Sequence, residues 1–405
     1  MTSRFLQIHV LTSYPGALLN RDDAGFAKRL PFGGVTRTRI SSQCLKRHWR
    51  TFAGEWALRG IGVPESFRSR HTFDRLIREP LEKEGVPSDL AVAVTHGLMA
   101  IILGESKKAK AEKKGKGGDR KPTPETAEPA DCATSQITVL GRPEVEFFLK
   151  LARDAISQEK DPKKVDKTLE AILKREKDNL KALKTAVGLD AALFGRMVTS
   201  DMLARGDAAV HVAHAFTVHA EEAETDYFSA MDDLQKEIDG QQLGAGHINT
   251  SELTSGLYYG YVVVDVPLLV SNLEGCDARD WQKADLTTAR KVIDHLMHLI
   301  ATVSPGAKLG STAPYGYAQM ILAERGNAQP RSLANAFLRP VKETPDLLEN
   351  AMNDLASHLA SFDAMYGKTF ERSYAALRAP ASWTETLVGR SLPLKSLAEW
   401  ASGAA

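Results

Sequence analysis

The sequence predicts an α+β protein. Residues 5–14 (FLQIHVLTSY) alternate like a strand, strand texture returns between 208 and 265, and helix-spaced apolar faces fill the stretches between and after them. The order is strand, helix, helical insertion, strands with a loop insertion, helix, strand. That is not regular β–α–β alternation, and a split-βαβ, ferredoxin-like core with large insertions is the nearest generic match.

In the first strand Leu6, Ile8 and Val10 share one face and Phe5, Gln7, His9 and Leu11 the other, which predicts a half-buried strand. A turn-rich loop leads to a short strand at VTRTRI (35–40). A helix should follow, with Ser41 or Ser42 as N-cap and Leu45, Trp49, Phe52 and Trp56 on one face. Residues 66–104 read as helical with breaks at Pro80 and Pro87. Residues 105–131 hold no large apolar residue and are rich in Lys, Gly, Pro and Glu, as expected of a disordered insertion. The first part, 105–121, carries a net charge of +5. Two amphipathic helices are expected at 145–156 and 165–187. The second carries a lysine stripe: Lys167, Lys174, Lys177, Lys181 and Lys184. AAVHVAHAFTVHA (208–220) and LYYGYVVVDV (257–266) read as strands around a polar hairpin or loop. A helix at 284–303, a glycine-rich turn into a last strand (SPGAKLGSTAPYGYAQMILAE) and a helix at 346–362 complete the chain.

The 405 residues are 43% apolar and 25% charged, which excludes a wholly disordered chain. Lys+Arg is 52 against 51 Asp+Glu, so the net charge of +1 does not indicate a generally basic nucleic-acid binder, although a local basic face is compatible with it. Cys44, Cys132 and Cys276 are widely spaced, which fits a reducing cytoplasm better than a disulfide framework or a thiolate zinc site. The first apolar stretch, broken by Gln7 and His9, reads as too short for a signal h-region, and no run approaches the length a membrane span needs.

The strongest local pattern is RTRISSQCLKRHWR (37–50). A helix N-terminus offers unpaired N–H groups and the positive end of the dipole. Ser41, Ser42 and Gln43 add donors, and Lys46, Arg47 and Arg50 add cations, which together suit a phosphate; a capped, solvated helix is the plain alternative. In Asn20-Arg21-Asp22-Asp23 the arginine suits a phosphate, and an Asx-rich turn accounts for the carboxylates better than a metal site. His211, His214 and His219 do not share a strand face and read as structural histidines. The lysine stripe reads first as a solvated helix face supported by the Glu170–Lys174 pair.

Several blocks resemble the type I-E CRISPR Cascade backbone family, often called CasC. They are Ile8–Leu11, Leu19–Asp23, Phe32–Gly34, Arg39–Arg47 and Gly195–Ser200, then Ala213–His219, Asp226–Gln235, Ala245–His247, Pro305–Lys308 and Leu333–Phe337. They run in order from about residue 5 to 340. The resemblance implies a non-catalytic subunit of the RAMP superfamily that polymerises along a CRISPR guide RNA for antiviral defence. Its architecture would be a ferredoxin-like (RRM-like) palm at 1–65, 190–220 and 257–340, helical fingers at 66–189 and a hairpin thumb at 221–256. A helical segment would follow at 341–405.

By the same resemblance Asn20, Arg21, Lys28, Ser41, Gln43, Lys46 and Arg50 face the guide backbone. The GRM stretch contributes Arg196, Met197 and Ser200. Met197, Phe228 and Ile248 are the apolar wedges at flipped nucleotides, and the remaining bases are left for pairing with target DNA. Lys167, Lys174, Lys177, Lys181 and Lys184 resemble the fingers helix that faces target DNA. The implied partners are guide RNA, further copies of the chain, other Cascade subunits, target DNA and a recruited helicase-nuclease, with no membrane, metal or cofactor, in the cytoplasm. Two other readings compete: a guide-dependent ribonuclease using Asp22 or Asp23, and a free single-strand binding module.

Overall fold

The computed structural model describes residues 2–103, 132–134, 136–176, 188–196, 206–230 and 247–404, with the side chains of 228–230 and 247–249 left out. The insertion expected at 105–131 lies outside them. In chain order the elements begin β1 (Phe5–Ala17), β2 (Arg29–Phe32), β3 (Val35–Ile40), α1 (Ser42–Thr51), β4 (Ser66–Ser69), α2 (Glu79–Lys83), α3 (Ser88–Leu103) and β5 (Thr138–Gly141). They continue α4 (Arg142–Gln158), α5 (Val165–Arg175), α6 (Leu189–Phe194), β6 (Val210–Val212), β7 (Ala215–Thr217), β8 (Glu222–Ala230), β9 (His247–Asp265) and α7 (Val266–Glu274). The last are α8 (Thr287–Thr302), α9 (Leu309–Thr312), β10 (Ala318–Gly326), α10 (Leu347–Tyr366), β11 (Phe370–Ala376), α11 (Glu385–Val388), β12 (Arg390–Ser391) and α12 (Leu394–Ser402). The chain is α+β, and it divides into two compact units: 1–61, 210–266 and 286–405, and 62–209 with 267–285.

The first unit is built on one sheet in the order β12-β11-β10-β1-β9-β7-β3-β2, with β6 and β8 also paired to β9. Every pairing is antiparallel except β11 with β12. β9 has two roles. Its C-terminal part lies against β1, from Thr254 opposite Ala17 to Asp265 opposite Phe5. Its N-terminal part runs on as a ribbon with β8, from Glu222 opposite Ser255 to Ala230 opposite His247.

β1 is not half-buried, because both sheet faces are covered. Val10 shares a small apolar cavity with Leu45 and Trp49 of α1 and Ile300 of α8. Its neighbour Leu11 packs on the other face with Met352, Leu355 and Leu359 of α10. The C-terminal segment therefore supplies the second layer, and besides helices it contributes β11 and β12 to the sheet. Gln7 and His9 consequently sit fully buried and must find partners inside. The Gln7 Oε1 accepts from Tyr261 Oη (2.7 Å) and Arg331 N (2.8 Å). His9 Nδ1 accepts from Tyr259 Oη (2.8 Å), which itself accepts from Leu333 N (3.1 Å). His9 Nε2–H donates to Glu324 Oε2 at 3.0 Å. Burial, opposed by Glu324 and reinforced by Arg331 and Arg372, holds His9 below its usual pKa, so this is a neutral imidazole on a carboxylate. Glu324 also accepts from Arg331 and from Arg372 Nε (2.7 Å), and Arg372 continues to Asp363 (2.6 Å).

The second unit has its own core, in which Phe73, Ile77, Leu90, Val94 and Leu98 meet Phe148, Leu151, Leu169 and Ile172. The stretch expected to be helical from 66 begins instead as β4, because Ser66–Ser69 pairs with Thr138–Gly141. Among the described residues no helix is long and apolar enough to cross a membrane.

Candidate nucleic-acid interface

Helix α1 is capped by Ser41, whose extended backbone (φ −68°, ψ 147°) lets Oγ accept from Cys44 N at 3.3 Å. The helix stops at Thr51, so the predicted apolar face does not extend to Phe52 and Trp56; Trp56 stacks instead on His298, with ring centroids 3.7 Å apart. Trp49 is buried, which fixes the helix rotation and turns Gln43 and Arg47 outward. Lys46 and Arg50 are half-buried.

Two long-range bonds hold the helix start. Ser41 N donates to Asn20 Oδ1 (2.9 Å), and Ser42 N donates to His214 Nδ1 (2.9 Å). The second requires His214 to be unprotonated there. Partial desolvation at this exposed position, with Arg39 and Lys28 adding to it, pushes its pKa below the usual value. Asn20 O accepts from Lys28 N (2.9 Å) and Lys28 O from Arg39 N (2.7 Å), so the Asn20–Asp23 loop, Lys28 and the α1 start form one hydrogen-bonded assembly.

Asp22 is spent on its own loop: Oδ1 accepts from Ala24 N and Phe26 N, both at 2.9 Å, while Asp22 N bonds Phe26 O at 2.8 Å. This is an Asx-type turn. Arg21 and Asp23 are left exposed at the mouth of an open groove of about 640 Å³. Asn20, Arg21, Arg47, His48, Thr51, Gly306 and Ala307 are among its lining residues. Asn20 and Arg21 thus line one groove with Arg47, which the resemblance did not single out. The signal was present in the spacing, since Arg47 is one helical turn after the exposed Gln43.

The ribbon root is tied to the same region. Arg29 pairs with Glu221 and Glu252, and Glu252 Oε2 accepts from Ala27 N at 3.2 Å. Register sets Phe228 opposite Asn249 and Ile248 opposite Ser229. Met197 and Ser200 lie outside the described residues, as do Lys177, Lys181 and Lys184. Lys167 and Lys174 are exposed on α5.

Arg196 is a correction. Its guanidinium is buried in the second unit, with Nη1 on Glu144 Oε2 at 2.6 Å and on Val139 O at 3.3 Å. A buried cation already held by a carboxylate does not offer itself to a phosphate. His214 and His219 have structural partners: His214 accepts from Ser42 N, and His219 Nδ1–H donates to Ala220 O (2.7 Å), which leaves Nε2 to accept from Leu257 N (3.2 Å).

A family model described as CT1975-like protein, a Cas family, matches residues 6–400. The chain belongs to that family. Among solved structures, the CT1975-like chain resembles a chain of a "CRISPR RNA-guided surveillance complex, pre-nicking" at 25% identity and a TM-score of 0.74, over 99% of this chain and 100% of that one. It shares its fold with a chain of another "CRISPR RNA-guided surveillance complex" at 22% identity and a TM-score of 0.65, over the same shares. No curated protein matches the sequence.

Proposed function

We propose that this CT1975-like protein is a non-catalytic, guide-RNA-binding backbone subunit of a type I-E Cascade surveillance complex. The observation that carries the reading is the whole-length likeness to a surveillance-complex chain, with a TM-score of 0.74 over 99% of the protein. Strand order adds support. β10-β1-β9-β7, with α1 after β1 and α8 between β9 and β10, follows the 4-1-3-2 order expected of an RRM-like palm. On this reading the second unit supplies the fingers and the β8–β9 ribbon the thumb.

Copies assemble side by side along the RNA. Asn20, Arg21, Lys28, Ser41, Gln43, Lys46 and Arg50, with Arg47 added, hold phosphates and sugars. Phe228, Ile248 and Met197 open the strand at regular intervals. The bases between pair with target DNA, Lys167, Lys174 and the later lysines attract that DNA, and a helicase-nuclease is recruited to cut it. The use of Asp22 within its own turn favours a structural over a catalytic carboxylate.

The test is purification from cells that carry the CRISPR array, followed by extraction and sizing of bound nucleic acid. One discrete RNase-sensitive, DNase-resistant species is expected. Protein that assembles with its partners yet carries no RNA would overturn the proposal. Cleavage of guide-paired RNA that is abolished by Asp23→Ala would replace it with the ribonuclease reading.

A further inference from the structure

The loop between α8 and β10 is braced at several points. Ala307 N bonds Leu18 O at 3.0 Å. Ser304 Oγ donates to Gly316 O (2.8 Å) and accepts from Gly316 N (2.9 Å), clamping both polar atoms of one residue. A Cβ on Gly316 would stand 2.8 Å from Ser13 O and 2.9 Å from the Tyr14 ring, so the backbone lies flat against the end of β1. Pro314 packs onto Gly306, where a Cβ would come within 2.5 Å of its ring. Gly306 and Ala307 line the groove that holds Arg21 and Arg47.

This braced backbone presents two aromatic side chains to solvent: Tyr315 is 74% exposed and Tyr317 69%. Exposed aromatics on a fixed support, beside a groove with exposed arginines, are the parts from which single-strand binding surfaces are made. The cations track the backbone, and the rings stack bases without sequence preference. Tyrosine suits this, because it offers a rigid, amphipathic face at low entropy cost.

We propose that Tyr315 and Tyr317 form a stacking platform for unpaired bases of the RNA strand whose phosphates the groove holds. The proposal rests on the nucleic-acid reading above.

The test uses the full chain and fluorescence anisotropy with a labelled oligouridylate and an abasic strand of equal length. The Tyr315→Ala/Tyr317→Ala pair should bind oligouridylate about tenfold or more weakly and the abasic strand as the wild type does. The Tyr315→Phe/Tyr317→Phe pair should keep wild-type affinity, because the ring and not the hydroxyl stacks. Arg21→Ala should weaken both strands. Unchanged oligouridylate binding by the alanine pair, or equal loss on both strands, overturns the platform and leaves the function reading in place. Wild-type protein that binds neither strand overturns both. If the alanine pair instead changes sedimentation of RNA-free protein while its oligouridylate affinity holds, the rings belong to a contact between copies and the platform is wrong.

Discussion

Replacing Glu324 with Gln tests whether the buried polar cluster holds the sheet to its C-terminal layer. The carboxylate is fully buried and accepts from four nitrogens: His9 Nε2 at 3.0 Å, Arg331 Nη2 at 2.8 Å, Arg331 Nη1, and Arg372 Nε at 2.7 Å. Gln keeps the volume and removes the charge, and its amide would turn two hydrogens toward groups that are themselves donors. Breaking one side of a buried ion pair costs about 3–5 kcal/mol. Here Arg372 keeps Asp363, and Arg331 keeps its position over Phe362 and Phe370, 4.7 and 4.9 Å from the ring centroids. The loss should therefore fall at the lower end, about 3 kcal/mol, or a melting temperature lower by roughly 10 °C in a unit of this size. Circular dichroism melts and urea titrations near neutral pH measure it. Acid provides a second readout. Burial raises the Glu324 pKa, but the bonds from Arg331 and His9 outweigh it and hold the carboxyl well below its usual value of 4.5. Its contribution is then complete above that pH and is lost as the pH falls below it, so the Gln variant should show a flatter acid limb. A loss under about 1 kcal/mol, with an unchanged acid limb, would refute the claim that this charge organises the cluster.

The remaining predictions concern the interface and the second unit. Arg21→Ala and Arg47→Ala should each weaken RNA binding and reduce its salt slope by about one, read from affinities over a salt series. Ser41→Ala should cost about 1 kcal/mol in urea unfolding, by removing the cap on Cys44 N. The depressed pKa of His214 means that its contribution is intact above about 6.5 and is lost as the pH falls below that value. RNA-free protein should accordingly lose stability as the pH falls below about 6.5, less so in His214→Asn, and an identical acid limb in the two would count against the Ser42–His214 bond. Glu144→Ala should destabilise the second unit by about 3–5 kcal/mol, with much of the loss recovered in Glu144→Ala/Arg196→Met; a double variant as unstable as the single one would show that the pair is not coupled.

Local signals carried most of the fold. The Ser41 cap, the alternation of β1 and the apolar stripes of α4 and α8 depend on neighbours a few residues apart, so spacing exposes them. Pairings across the chain were less visible. β1 reads as half-buried because nothing within 5–14 announces that α10, more than three hundred residues later, covers its second face. Arg196 looks like a nucleic-acid contact because a motif records residue type and not burial, and its partner Glu144 stands 52 residues upstream. At the interface, Asn20 and Arg21 were legible as a phosphate-suited turn. That Asn20 serves partly by fixing the start of α1, and that Arg47 completes the groove, became visible only once Trp49 set the helical phase.

The covered sheet also constrains how the proposed RRM-like palm would work. An RRM stacks bases on an open sheet face, and among the described residues the central strands β10, β1 and β9 are covered on both faces. α1 and α8 contribute to the cover on one side, and α10 with the segment at 331–341 covers the other, where Tyr259 and Tyr261 are turned inward onto His9 and Gln7. Burial pushes both phenols well above their ordinary pKa, as expected of rings committed to a core. On the proposed function, the described residues of the first unit would offer RNA what projects past the sheet: the Asn20–Asp23 loop, the start of α1, the 304–317 loop and the β8–β9 ribbon. The Asn20–Asp23 loop and the start of α1 can grip a sugar–phosphate chain without enclosing its base edges, and Tyr315 and Tyr317 would stack only bases left unpaired, whereas a platform across the sheet face would occupy the bases it stacks. On that reading, a closed sheet with a gripping edge is the arrangement that would leave guide bases free to pair. Opening the α10 face, for example with Leu355→Ala/Leu359→Ala, should loosen the first unit without creating a new RNA surface. A gain in RNA affinity from that pair would contradict this account.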